Sequence, residues 1–63
     1  MLRCFSIFYN WDNCYVLAEN EEEALKIAKY FGYKKPTCLG AYPAERAYAG
    51  KGIPVLKKPI NWK

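Results

Sequence analysis

The sequence predicts a small α+β fold: an antiparallel sheet that opens with a β-hairpin and carries one amphipathic helix on one face. Three observations lead there. Two runs rich in Phe, Ile, Tyr and Val stand side by side at the start of the chain. A capped helical stretch follows them. Beyond it, Pro36, Gly40, Pro43, Gly50, Gly52, Pro54 and Pro59 interrupt the chain and keep every later element short. The expected order is β-β-α-β-(short α)-β in a single domain over residues 1–63, with 59–63 as a flexible tail.

Leu2 to Asn10 and Cys14 to Ala18 read as the strands of the hairpin, and Asn10-Trp11-Asp12-Asn13 as its turn. Pairing Tyr9 with Cys14 across a four-residue loop sets Ile7 against Val16 and Phe5 against Ala18. Side chains alternate along a strand, so these six residues share one nearly apolar face. The other face carries Ser6, Phe8, Tyr15 and Leu17. It is less apolar, yet it lacks the charges of a solvated surface.

A helix is predicted over Glu21–Phe31. Asn20 is placed to cap it, Glu23 holds the capping-box position, and three glutamates meet the positive end of the helix dipole. Ala24, Ile27, Ala28 and Phe31 recur at helical spacing, and Leu25 widens the stripe. Lys26 and Lys29 follow where cations suit the dipole, and Gly32 is the expected C′ residue. In the second half, Thr37–Ala41 reads as a short strand. Pro43 suits the first turn of a short helix through Ala44–Tyr48, closed by Gly50. Ile53–Lys57 reads as a last strand, held to a sheet edge by Pro54.

Composition narrows the function. At this length a core contributes only about 3–5 kcal/mol. The chain is 52% hydrophobic and 17% aromatic, which is folded-protein composition. Eleven aromatics in 63 residues are too many to bury together, so some are expected on a contact surface. No apolar run approaches the roughly 20 residues of a membrane span. Met1–Phe5 shows neither a long apolar stretch nor a small-residue cleavage site, so it does not read as a signal peptide. Cys4, Cys14 and Cys38 are odd in number and form no C-x-x-C pair, so they read as free thiols in a reducing, cytosolic compartment.

The inventory of chemical groups is thin. The chain has no histidine, which removes the commonest general base and the commonest metal ligand. The cysteines match no zinc spacing. The glutamates are accounted for by the helix start, and Asp12 by the turn. Gly50-Lys51-Gly52 lacks the frame of a phosphate-binding loop. These absences predict a non-catalytic binding protein without cofactor or metal. Aromatic hot-spot chemistry makes Phe8, Trp11, Tyr15, Tyr42 and Tyr48 the candidate contacts for a protein partner.

Charge suggests an alternative. Residues 1–23 carry −4 and residues 24–63 carry +8. Lys34, Lys35, Arg46, Lys51, Lys57 and Lys58, interleaved with tyrosines, are the residues that would hold nucleic acid or a nucleotide. The hairpin lacks the aromatic-rich signature of an RRM. A third reading is a structural subunit that self-associates through the less polar hairpin face or the proline-marked edge strand.

Tyr15-Val16-Leu17-Ala18-Glu19-Asn20-Glu21-Glu22-Glu23-Ala24-Leu25 resembles the strand-to-helix junction of small phage and prophage accessory proteins, with their A-E-x-x-E-E-A phrase between strand and helix. The resemblance covers residues 15–25. It implies a stoichiometric inhibitor of a host enzyme or defence system, including anti-CRISPR-like activity, working in the host cytoplasm. The basic second half departs from the acidic inhibitors that mimic DNA. The resemblance carries over no catalytic or binding residue.

Overall fold

A computed structural model describes residues 1–49 and 52–60. The elements are β1 (Arg3–Tyr9), β2 (Asp12–Ala18), α1 (Glu21–Tyr30), β3 (Thr37–Pro43), α2 (Arg46–Ala49) and β4 (Val55–Leu56). The strands form one sheet in the order β3-β1-β2-β4. This is the expected α+β order with one correction: the sheet is mixed. β1 is antiparallel to β2 and β3, whereas β4 runs parallel to β2. The chain reaches β3 across one face through α1. It then returns across the other face through α2 to the opposite edge. The hairpin therefore lies in the middle of the sheet, covered on both sides.

The hairpin register also differs from expectation. Tyr9 pairs with Asp12, Ile7 with Cys14 and Phe5 with Val16, which leaves a two-residue turn of Asn10 and Trp11. Both turn residues have positive φ, 51° and 67°. A two-residue turn with both residues left-handed matches the right-handed twist of the strands, which a longer loop need not do. The slip is two residues, so each side chain keeps its face. Hydrophobic alternation cannot separate registers that differ by two.

On the first face, Phe5, Ile7, Cys14, Val16 and Ala18 pack against Ala24, Ile27 and Ala28 of α1, and all eight are buried. The second face has a core of its own, Cys4, Tyr15, Leu17 and Ala47, with Ala44, Ile53 and Val55 packed around it. That second core explains the unusual composition of the hairpin's other face. Its apolar residues wait for the C-terminal half of the chain.

Local chemistry accounts for the ends of α1. The Asn20 side chain accepts a hydrogen bond from the Glu23 amide at 2.8 Å. The Glu23 carboxylate accepts from the Glu19 amide at 2.9 Å, one residue before the position a standard capping box would reach. At the far end, the Gly32 amide donates to the Lys29 carbonyl and the Tyr33 amide to the Ala28 carbonyl. With Gly32 at φ 101°, this is a Schellman cap. Phe31 closes the helix, but it is 46% exposed and does not join the apolar stripe predicted for it.

Pro43 ends β3 and does not start α2, which begins three residues later at Arg46. β3 bulges at Leu39, where its register against β1 shifts between Ser6 and Ile7. A bulge and a terminal proline both discourage a further strand from pairing along that edge. β4 is only two residues long, and the Pro54 carbonyl accepts from the Tyr15 amide at 2.8 Å beside it. Of the expected tail, Pro59 is half-buried and Ile60 fully exposed. Residues 61–63, and the Gly50 and Lys51 expected to close α2, lie outside the described residues.

Two stability predictions follow from the turn and the cap. A left-handed backbone costs a residue with a Cβ about 1 kcal/mol, and glycine is spared that cost. Trp11→Gly should therefore be more stable than Trp11→Ala by about 1 kcal/mol in urea unfolding. The Glu19 amide, above all, and the charge of Lys58 hold the Glu23 carboxyl below its ordinary value of 4.5. A depressed folded pKa gives stability that is complete above the ordinary value and is lost as pH falls through the folded one. Stability should decline below about pH 4.5, and Glu23→Gln should flatten that decline.

Candidate functional site

The sheet face toward α2 is the one that its own chain leaves partly open. By alternation and register it carries Ser6 and Phe8 from β1, Asn13 from β2, and Gly40 and Tyr42 from β3. α2 and residues 53–55 cover Cys4, Tyr15 and Leu17. The half nearer the hairpin turn stays accessible.

Two aromatic features mark this face, the first on the open half and the second toward its covered end. Trp11 is 90% exposed and stands edge-on to Phe8, with ring centroids 6.2 Å apart and planes at 89°. The Arg46 guanidinium sits 4.5 Å from the centroid of the Tyr42 ring, a cation–π pair. The hydroxyl end of Tyr42 lies over Gly40, where a Cβ would come within 3.2 Å of the Tyr42 oxygen. Glycine at position 40 thus lets the ring lie down on the strand. Hydrogen bonding and charge attraction from Tyr15, then attraction from Tyr42 and Cys4, raise the Arg46 pKa further. The guanidinium is pinned on the face with its charge intact.

The structure divides the five aromatic candidates. Phe8 and Trp11 come together on the open half, whereas Tyr42 pairs with Cys4 toward the other end and packs against the second core. Tyr15 does not belong with them: it is only 9% exposed and forms the floor of the second core. Its pairing opposite Ser6, and next to β4 at Val55, places it in the middle of the sheet, where α2 covers it. Tyr48 is 70% exposed but lines a separate hollow with Leu2, Leu17, Lys57 and Lys58.

The basic candidates do not converge. Lys34 and Lys35 precede β3, whose first residue pairs with Phe8, so they stand at the hairpin-turn end. Lys57 and Lys58 follow β4, which runs parallel to β2 and leads to the opposite end. Lys58 is engaged by Glu23 at 3.6 Å. Arg46 is committed to Tyr42, and Lys51 lies outside the described residues. Sequence reasoning did not foresee the pairing of Tyr42 with Arg46 or the role of Gly40. The only signal is a glycine two residues before a tyrosine in a strand, which places them on one face.

The three thiols are kept apart. Cys14 and Cys38 both pair with Ile7, one on each side of β1, so two strand spacings separate them. That is too far for a disulfide. Cys4 points to the opposite face. Burial pushes the Cys4 and Cys14 thiols above the ordinary value, which keeps them protonated and unreactive. Cys38 is half-buried and its thiol approaches the Gly40 carbonyl at 3.7 Å. Among the described residues no three His, Cys, Asp or Glu side chains gather as a metal site, and no helix is long and apolar enough to cross a membrane.

No protein-family model matches the chain, and no curated protein or solved structure is similar to it.

Burial orders the thiols by reactivity. A thiol reagent applied to the native protein at neutral pH should label Cys38 first and leave Cys4 and Cys14 unmodified on that timescale, whereas all three should label in denaturant. Intact-mass spectrometry reads the difference, and prompt labelling of Cys14 in the native state would contradict the packing of the first core.

Proposed function

We propose that the chain is a non-catalytic binding protein that engages a protein partner through the open half of the sheet, centred on Trp11 and Phe8. One observation carries this reading. Trp11 occupies a left-handed turn position that favours glycine or asparagine, and its ring is spent on solvent and on the edge of Phe8. A costly conformation that holds a large exposed aromatic outward is the kind of local strain that contact sites retain. Tryptophan, tyrosine and arginine are also the residues that most often dominate binding energy. The resemblance of residues 15–25 to phage accessory proteins makes a host enzyme or defence protein the first class of partner to test, with the chain acting as a stoichiometric inhibitor.

A second reading has its own support. By alternation Asp12 faces α1, and Glu45 lines a hollow beside Arg3 and Pro43, so no described acid stands on the open half. Lys34 and Lys35, which precede β3 at the hairpin-turn end, give that half a positive character. Exposed rings among cations suit a single-stranded nucleic acid.

Affinity capture from lysate, with and without nuclease, separates the two. The protein-binding reading expects a stoichiometric protein that survives nuclease and is lost, by about tenfold or more, from folded Trp11→Ala. Capture of nucleic acid that disappears with rising salt would favour the second reading. A folded Trp11→Ala protein that retains its partner undiminished would remove Trp11 from the interface.

A further inference from the structure

We infer that the cleft between the hairpin turn and the C-terminal end of α1 receives an arginine side chain from a protein partner. The cleft has a volume of about 250 Å3 and is lined by Tyr9, Asn10, Asp12, Phe31, Gly32 and Tyr33. It lies on the α1 side of the sheet, opposite the surface that carries Phe8 and Tyr42.

The two-residue turn builds it. With only Asn10 and Trp11 between the strands, Tyr9 and Asp12 are direct partners, and paired residues project from the same face. The Tyr9 ring stands 6.1 Å from that of Tyr33, tilted at 57°. Tyr33 is drawn there by the Schellman cap, which turns the chain back toward the sheet at Gly32. Phe31, excluded from the helix's apolar stripe, supplies a third ring at the rim.

The electrostatics favour a cation. Aromatic faces are electron-rich and attract guanidinium and ammonium groups. Asp12 adds a full negative charge, and the end of α1 adds the negative pole of its dipole. No lysine or arginine lines the cleft, and Asp12 has no ion-pair partner among the described residues. The Asp12 charge reaches the Tyr33 hydroxyl, whose pKa is raised by burial first, then by Cys14 and Asp12. A planar guanidinium fits this set better than an ammonium, because it stacks on a ring while forking to a carboxylate.

The partner's being a protein rests on the function proposed above; the cleft's preference for a guanidinium does not. The probe is therefore small: N-acetyl-arginine methylamide, titrated into the folded 63-residue protein and followed by amide chemical shifts. The norleucine analogue serves as the control. Saturable shifts at Asp12, Gly32 and Tyr33, with a dissociation constant of millimolar order, are expected for the arginine probe alone. Asp12→Asn should weaken binding about fivefold, as loss of an exposed charge pair does. Tyr9→Leu should weaken it about threefold through loss of the ring. Tyr48→Ala, in a separate hollow, should leave it unchanged; because the probe is a free amino-acid derivative, failure of the proposed contact surface and failure of this cleft give different results. No saturable shift up to about 50 mM, equal shifts with norleucine, or undiminished binding by folded Asp12→Asn would each overturn the assignment.

Discussion

The fold is organised by a hairpin that is apolar on both faces. A hairpin with one wet face needs a single helix to complete it. Here Tyr15, Val16, Leu17 and Ala18 are buried in succession, so side chains on both faces must be removed from water. The chain meets that demand by crossing the sheet twice, once through α1 and once through α2. Both interior strands then belong to the hairpin, and the edges fall to the short or irregular strands β3 and β4. A 63-residue chain has little further material to spend, and α2 with residues 53–55 covers only part of its face. The accessible aromatic half is what this economy leaves behind.

Much of this was legible in the residues. Asn20, Glu23 and Gly32 mark the ends of α1 through interactions that are local in sequence, and local chemistry reads directly from residue type. The first core was legible for a similar reason: period-two and period-three-to-four patterns identify the faces that meet. The register was not. Trp11 at a positive φ runs against residue preference, so turn chemistry alone points to a longer loop. The direction of β4 was not legible either, because a two-residue strand has no pattern from which to infer its partner.

The candidate site was legible in kind and only partly in place. Residue type selected Phe8, Trp11, Tyr15, Tyr42 and Tyr48 together, but type does not distinguish a tyrosine that caps a core from one that faces water. Tyr15 sits beneath a helix whose position depends on contacts far along the chain, and no local signal reports that. The split of the basic residues between opposite ends has the same origin. Proximity in sequence placed Lys57 and Lys58 with the other cations, whereas strand direction carried them away.

The brevity of β4 has a kinetic consequence. It closes the longest loop in the sheet with the fewest hydrogen bonds, so its formation incurs a large chain entropy for a small return. Its docking therefore belongs late in folding, and its release lies at the low-energy end of native-state opening. Release frees the outer edge of β2 and takes a side chain from each core, Leu56 from the first and Val55 from the second. The central hairpin and the β4 edge of one small sheet thus form units of unequal persistence. By that logic, amide hydrogens between β1 and β2 should exchange more slowly than those at the β2–β4 seam, which a cheaper, local excursion opens.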